Sequence, residues 1–406
     1  MKILIANTLY FPDEPGGAEV STRLLAEGLV KAGVEVCVVC ATGTGVDHVD
    51  HVNGVKVYRL RSMNLYWPHQ REKHGRVAKL IWHAIDVHNV MMSRKLSSII
   101  AREKPDVIST SNLSCLSIDI WRLAKNAGVP IVHTARDYYL MCPTAIMYSR
   151  GKPCMRQCGV CSLYAEPKRA ASSRVAVAVG VSRFVLQKHL ESGYFSRAAR
   201  TTVIHNCVEP FDGPAPPPRT RRYTGGPVRL GVLGRVSPEK GLEVLLEQLR
   251  ADDTLQWTLA VGGAGDADYL RSLKAKYDDP RIEYLGHVKS GEFFGTIDIL
   301  VVPSIWNEPF GRVTMEAYSH GLPVVAADTG GIPEVVEPRT NLVFQMARPA
   351  TIIAKLREAV ALLEDPGVHE RLREYAGRFD RDAMVAAYLE LYESVLGDHA
   401  VERAVC

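Results

Sequence analysis

Val228-Arg229-Leu230-Gly231-Val232-Leu233-Gly234-Arg235-Val236-Ser237-Pro238-Glu239-Lys240-Gly241 carries an apolar run into a glycine-flanked turn, and a leucine-rich stretch opens at Leu242. The run reads as a buried strand and the stretch after the turn as a helix, so the turn lies at a helix N-terminus. Backbone N–H groups and the helix dipole favour an anion there, and Arg235 and Lys240 add two cations. Working outward, short apolar runs recur at 258–261, 282–285, 299–302 and 323–326, alternating with amphipathic stretches. Toward the N-terminus the same alternation covers strands expected at 2–6, 35–40, 107–110, 131–134, 175–180 and 202–204, with a helix at 18–32. Strands joined by crossover helices make a parallel sheet, so the class is α/β, with a doubly wound, Rossmann-like sheet in each half.

Pro210-Phe211-Asp212-Gly213-Pro214-Ala215-Pro216-Pro217-Pro218 cannot form regular helix or central strand. It divides the chain into an N-terminal domain at 1–209, a linker at 210–227 and a C-terminal domain at 228–406, two Rossmann-like domains facing across a central cleft. Met384, Val385, Tyr388, Leu389, Tyr392 and Leu396 recur at helical spacing, and a core helix of the second domain is expected at about 381–396.

A chain of 406 residues, 47% hydrophobic and 23% charged, has the composition of a two-domain globular protein and excludes extended disorder. The apolar run at residues 2–6 is far too short for a secretory or membrane-spanning segment, so a cytoplasmic protein is expected. Residues 1–210 hold 27 Lys and Arg against 16 Asp and Glu, whereas the remainder holds 22 against 29. This asymmetry suits an anionic membrane surface or a phosphate-bearing acceptor as well as ordinary solvated charge; no nucleic-acid partner is expected.

Pro303-Ser304-Ile305-Trp306-Asn307-Glu308-Pro309-Phe310-Gly311-Arg312-Val313-Thr314-Met315-Glu316-Ala317 follows the strand ending at Val302. Its loop therefore lies at the carboxyl end of the sheet, the ligand edge of an open α/β fold. Glu308 sits in the loop and Glu316 in the next helix, among apolar neighbours. A carboxylate in such a turn needs a partner, and the two hydroxyls of a ribose suit an acceptor-only group.

With Gly321-Leu322-Pro323-Val324-Val325-Ala326 and Gly330-Gly331-Ile332-Pro333-Glu334 downstream, this stretch resembles retaining glycosyltransferase family 4, which has the GT-B fold. The likeness extends to Gly234-Arg235 with Lys240-Gly241, to Gly262-Gly263-Ala264-Gly265 and to Tyr284-Leu285-Gly286-His287-Val288. The resemblance implies that Arg235 and Lys240 bind the diphosphate of a nucleoside-diphosphate sugar, Glu316 the ribose and Glu308 the transferred sugar. It implies backbone contacts from Gly263, Phe310, Gly311 and Arg312, and places His287 and Val288 beside the base. Gly16-Gly17-Ala18 would close over the phosphates from the other domain. Cations held against the departing diphosphate supply the main stabilisation, so catalysis needs no metal cofactor. The acceptor would be a saccharide or lipid-linked saccharide, in cell-surface polysaccharide or glycoconjugate synthesis. A nucleotide-sugar epimerase and an inactive sugar-nucleotide-binding protein are the alternatives.

One position departs from the family pattern. Many members have His directly before Asp at the end of a central N-terminal strand, whereas this chain reads His133-Thr134-Ala135-Arg136-Asp137. Arg136 cannot act as a base and would bind sugar oxygens, phosphate or acceptor; His133 reads as a packing residue. Four of the nine cysteines, Cys142, Cys154, Cys158 and Cys161, cluster in a loop at 142–161 with spacing that suits a structural zinc ion. The stretch 71–102 mixes cations with Val77, Leu80, Ile81 and Trp82, the pattern of a helix packed on the core or lying on anionic lipid at the inner face of the membrane.

Overall fold

The computed structural model describes all residues other than 14–15, 44, 70–73, 209–222, 224 and 406. The chain forms two compact units. Met1–Met147, Met155–Cys207 and Arg381–Cys406 make the first, and Tyr148–Cys154 with Val208–Asp380 make the second.

In chain order the first unit contains β1 (Lys2–Ala6), α1 (Gly17–Lys31), β2 (Glu35–Thr42), β3 (His48–Val52), β4 (Val55–Arg61), α2 (Arg76–Val87), α3 (Val90–Glu103), β5 (Val107–Thr110), α4 (Asp119–Asn126) and β6 (Ile131–Ala135). A hairpin, β7 (Tyr148–Ser149) and β8 (Lys152–Pro153), belongs to the second unit. The first unit resumes with α5 (Gly159–Ser172), β9 (Val177–Gly180), α6 (Arg183–Glu191) and β10 (Arg200–Val203).

Its eight strands lie in the order β10-β9-β6-β5-β1-β2-β4-β3. All pairs are parallel except β3 on β4. Every residue of β5, β6 and β9 is buried, as expected for strands covered by helices on both faces. The edge strand β3 instead carries His48, Asp50 and His51, polar residues that discourage edge-to-edge pairing. Its weak apolar alternation is why the sequence does not announce it. The stretch expected as one helix over 71–102 is two: the Asn89 side chain accepts from Met92 N at 3.0 Å and caps α3, which separates it from α2.

The terminal helix α13 (Arg381–Val405) belongs to this first unit and not to the second domain, which corrects the expected boundary at 228–406. Its Met384, Val385, Tyr388, Leu391, Tyr392 and Val395 join the core formed by Leu24, Leu25 and Leu29 of α1 and the strands behind them. The two helices approach closely through Gly28, where a Cβ would stand 2.4 Å from Val385 Cγ2. Tyr388 Oη meets Thr134 Oγ1 at 3.0 Å and Tyr392 Oη meets Ser109 Oγ at 2.9 Å, so buried hydroxyls on α13 are paired with hydroxyls on β6 and β5. Periodicity identified the helix, but it cannot say which of two equally apolar sheets receives it. The linker expected at 210–227 falls largely outside the described residues.

The second unit holds β11 (Val228–Leu233), α7 (Leu242–Ala251), β12 (Trp257–Gly262), α8 (Ala267–Lys276), β13 (Ile282–Gly286), α9 (Ser290–Thr296), β14 (Ile299–Val302), α10 (Arg312–Ser319), β15 (Val324–Ala327), β16 (Val343–Phe344), α11 (Thr351–Leu362) and α12 (Val368–Ala376). The strands run parallel in the order β13-β12-β11-β14-β15-β16. Chain order reverses beside β11: β12 lies on one flank and β14 on the other. Such a switch point opens a crevice outside the carboxyl ends of the two strands. The loops after β11 and β14 are the two stretches that sequence reading selected.

Candidate functional site

The loop after β11 makes a single 3-10 turn, Pro238–Lys240, before α7. Gly241 adopts φ +72°, and a Cβ there would stand 1.8 Å from Pro303 O. Only glycine allows the first loop to lie against the loop after β14. Ile305 N and Trp306 N both donate to Glu239 O, at 2.9 and 3.2 Å, and join the two loops into one wall.

Lys240 and Glu308 meet across this contact, Nζ to Oε1, at 2.8 Å. Ser304 Oγ also donates to Glu308 Oε1, and the Glu308 side chain is 10% exposed. Burial by itself would raise the Glu308 carboxyl. The Lys240 ammonium, with the Ser304 hydroxyl, more than offsets this and holds the group below its ordinary value, as a carboxylate. Glu308 O accepts from Gly331 N at 2.7 Å, and Thr329 Oγ1 donates to Ser304 O at 2.8 Å. The loop is therefore anchored to the glycine-rich segment after β15.

Arg235 is largely exposed and donates to Glu239 Oε1 at 2.9 Å, where Ser237 Oγ also donates at 2.7 Å. Each cation expected to face a diphosphate thus already touches a carboxylate, Arg235 on Glu239 and Lys240 on Glu308. Glu239 and Ser304 were not singled out in the sequence. Nothing local marks them, because segments distant in sequence bury Glu239 and aim Ser304.

Gly311 takes φ +89° and starts α10. The positive end of that helix and its first-turn N–H groups therefore lie at the loop that carries Glu308. Phe310 is buried with its ring 6.3 Å from Phe379, so only its backbone is available to a ligand. Glu316, one turn into α10, has its partner in Arg312, Nη2 to Oε1 at 3.0 Å. The Thr314 hydroxyl on the same helix is buried with no hydrogen-bond partner among the described residues. Gly263 follows β12 so closely packed that a Cβ would stand 1.8 Å from Gly234 O. Val288 is half-buried beside Gly262, and His287 is exposed at the end of β13. The crevice gathers Arg235, Lys240, Glu308, Gly311, Arg312 and Glu316 along the ends of β11 and β14, with Gly263, His287 and Val288 at the neighbouring strand ends.

In the first unit, Gly16 is the N-cap of α1 and Gly17 its first residue, after the carboxyl end of β1. Arg136 follows β6 directly, at the same edge of the sheet. His133 is a core residue: Nδ1 lies 2.9 Å from Thr110 Oγ1 and the ring packs on Trp121 and Phe195. Burial pushes its pKa down to about 3, so it is neutral. A hollow of about 680 Å³ beside Lys104, Asp106 and Pro130 lies at the amino ends of β5 and β6, opposite the ligand edge.

The zinc expectation is not met. Among the described residues no group of three or more His, Cys, Asp or Glu is arranged to hold a metal ion. Cys154 belongs to the second unit and Cys142, Cys158 and Cys161 to the first. Cys158 is exposed at the N-cap of α5, whereas Cys142 is buried against Thr144 Oγ1 at 3.2 Å. Cys161 lies within hydrogen-bonding reach of Cys158 and Cys142, but spacing along a loop does not by itself arrange thiols as metal ligands, and Cys154 is carried on the hairpin.

Residues 227–362 match the family model described as glycosyl transferases group 1, and residues 16–207 match the glycosyl transferase 4-like domain. A 42.6 kDa uncharacterized protein of the cps region of Klebsiella pneumoniae is 34% identical over 348 residues, 85% of this chain and 90% of that protein. An uncharacterized glycosyltransferase of Methanocaldococcus jannaschii is 26% identical, with 84% of both chains covered. Among solved structures, sucrose-phosphate synthase from Thermosynechococcus elongatus superposes with a TM-score of 0.74 at 18% identity, covering 98% of this chain and 99% of that one. HepE of Anabaena, in complex with UDP and glucose, superposes with a TM-score of 0.65 at 20% identity, covering 97% and 100%.

Proposed function

We propose that this chain, which belongs to the group 1 glycosyltransferases and has their GT-B fold of two Rossmann-like units, moves a sugar from a nucleoside-diphosphate sugar to a saccharide or lipid-linked acceptor with retention of configuration. Family membership sets aside the epimerase alternative. The observation that carries the reading is the Lys240–Glu308 pair at the crevice between β11 and β14, beside the N-terminus of α10.

Cleaving the sugar C1–oxygen bond leaves a cationic sugar and a nucleoside diphosphate with added negative charge. Lys240 and Arg235 stabilise the leaving diphosphate, and the preorganised amides at the start of α10 add fixed dipoles, without a metal ion in the scheme. Glu308, kept ionised by Lys240, accepts hydrogen bonds from hydroxyls of the transferred sugar. Glu316 does the same for the ribose, in exchange with Arg312. Gly263, His287 and Val288 line the nucleoside end. The acceptor attacks from the face that the diphosphate leaves. The relative from the cps region of Klebsiella pneumoniae supports a role in polysaccharide synthesis.

The acceptor side is read as a peripheral membrane contact at the inner face. None of the described helices is long and apolar enough to cross a membrane. Yet α2 turns Val77, Leu80 and Ile81 outward, and α5, in ring contact with it through His83 and Tyr164, exposes Val160 and Leu163. Leu80 is 67% and Leu163 80% exposed, with Arg76 and Lys79 exposed beside them. Apolar side chains flanked by cations suit an anionic lipid surface.

The test is nucleoside diphosphate release from a panel of uridine, guanosine and adenosine diphosphate sugars, with and without lipid-linked saccharides. Turnover of one donor that Lys240→Ala abolishes supports the reading. No binding of any of these nucleotides would overturn it.

A further inference from the structure

Arg136, the departure from the family pattern, is 8% exposed at the carboxyl edge of the first unit's sheet. Its Nε lies 3.4 Å from Ser111 Oγ, and Nη1 donates to Asn206 Oδ1. Both acceptors are neutral. Among the described residues Nη2 has no hydrogen-bond partner and no carboxylate lies within ion-pair distance of the guanidinium. Arginine does not shed its proton in proteins. An almost fully buried charge without an ion-pair partner is strongly unfavourable, which a ligand anion would relieve.

No neighbouring group forms an ion pair with Arg136. Asp137 is turned away: Oδ1 accepts from Tyr139 N at 2.8 Å and Oδ2 from Asn112 Nδ2 at 2.9 Å. Burial raises its pKa to about 6, with the Tyr139 N–H, Lys168 and Arg136 partly opposing that rise, so it is a carboxylate at neutral pH, but its oxygens are spent on Tyr139 and Asn112 and it forms no ion pair with Arg136. His133 is neutral. Tyr388 and Tyr392, which reach this region from α13, are paired with Thr134 and Ser109. The turn after β1 that carries Gly16 and Gly17 is two strands away, roughly 10 Å at normal strand spacing.

We propose that Arg136 holds an anionic group, a carboxylate or phosphate, borne by the transferred sugar or the acceptor and separate from the donor diphosphate. The proposal rests on the glycosyltransferase reading and narrows it: one of the two substrates is an acidic saccharide. The guanidinium offers Nη2 and the remaining N–H of Nη1, the fork that carboxylate and phosphate oxygens accept in pairs.

The wild type, Arg136→Gln and Arg136→Lys are titrated with UDP, GDP, glucose, glucuronate and glucose 6-phosphate at constant ionic strength. The wild type should bind the charged sugars and not glucose. Arg136→Gln should lose about tenfold or more in that affinity and Arg136→Lys should keep part of it, with nucleotide affinity unchanged in both. Tighter binding of UDP-glucuronate than UDP-glucose, lost in Arg136→Gln, assigns the anion to the donor sugar. Discrimination confined to the free sugars assigns it to the acceptor. Without ligand, Arg136→Gln should melt no lower than the wild type, because an uncompensated charge has been removed.

Equal binding of charged and neutral sugars overturns the proposal, as does a fall in UDP or GDP affinity matching the fall for the charged sugars. A lowered melting temperature in both variants, with sugar binding unchanged, makes Arg136 a structural residue and also overturns it. If the wild type binds charged sugars through Arg136 but no nucleotide, the anion site stands and the glycosyltransferase reading fails.

Discussion

Replacing Lys240 by Met removes the ammonium 2.8 Å from Glu308 and leaves a carboxylate whose side chain is 10% exposed. Two unit charges about 4 Å apart attract by about 4 kcal/mol at an effective dielectric near 20. Lys240 is 26% exposed, so water screens part of that attraction, and the methionine retains the packing of the stem. The expected loss at neutral pH is about 1 to 3 kcal/mol, below that for breaking a fully buried pair. Its pH dependence has a definite sign. In the wild type the Glu308 pKa is depressed, so the pair's contribution is complete above the unfolded carboxylate pKa and is lost as pH falls through the folded value. In the variant, burial acts with less opposition and the pKa rises, so Glu308 takes up a proton at milder acidity and the unpaired charge disappears. Urea unfolding of the second unit, followed through hydrogen exchange of segment 303–316, should show a clear midpoint difference at about pH 7.5 that shrinks toward about pH 4.5. Adding Glu308→Gln should recover much of the loss at the higher pH. An equal midpoint difference at both pH values would refute the coupling between the two groups.

Glu316→Ala should weaken nucleoside diphosphate binding about tenfold by calorimetry, the worth of a charged hydrogen-bonded contact, while stability changes little because an i,i+4 pair contributes only tenths of a kcal/mol. Gly28→Val would drive a side chain into Val385 and should cost about 1 to 3 kcal/mol; increased hydrogen exchange in α13 would report the lost packing, and unchanged exchange there would contradict the assignment of α13 to the first unit. Leu80→Glu combined with Leu163→Glu should reduce co-sedimentation with vesicles containing anionic lipid and leave nucleotide binding intact. Equal sedimentation of variant and wild type would remove the membrane contact from the proposed function.

The architecture of both sheets was legible because parallel strands buried on both faces are written as short apolar runs, as at Val228–Leu233 and Ile299–Val302. The crevice at the carboxyl ends of β11 and β14 was legible for a related reason. Strand ends are local features, and a loop after a strand in an α/β fold must lie at the carboxyl edge, so the placement of Lys240, Glu308 and Glu316 at that edge followed from their positions in the chain. The edge hairpin of β3 and β4 was not, since the half-exposed polar β3 leaves little periodic signal and Lys56, Arg59 and Arg61 interrupt the apolar run of β4. Convergence of side chains distant in sequence was also hidden. The backbone carbonyl of Glu239 is bonded by the amides of Ile305 and Trp306, the cysteines of 142–161 fall in different units, and α13 closes the first core through the close approach that Gly28 allows. Arg136 was visible as a departure in sequence, but only its neighbours in space reveal a charge without a counter-charge. Sequence alone determined most of the elements and which loops lie at the carboxyl edge, because hydrophobic period and turn residues act locally. Tertiary structure decided which charges are paired and which helix seals which core, because those depend on burial and distance between segments that the chain order leaves unrelated.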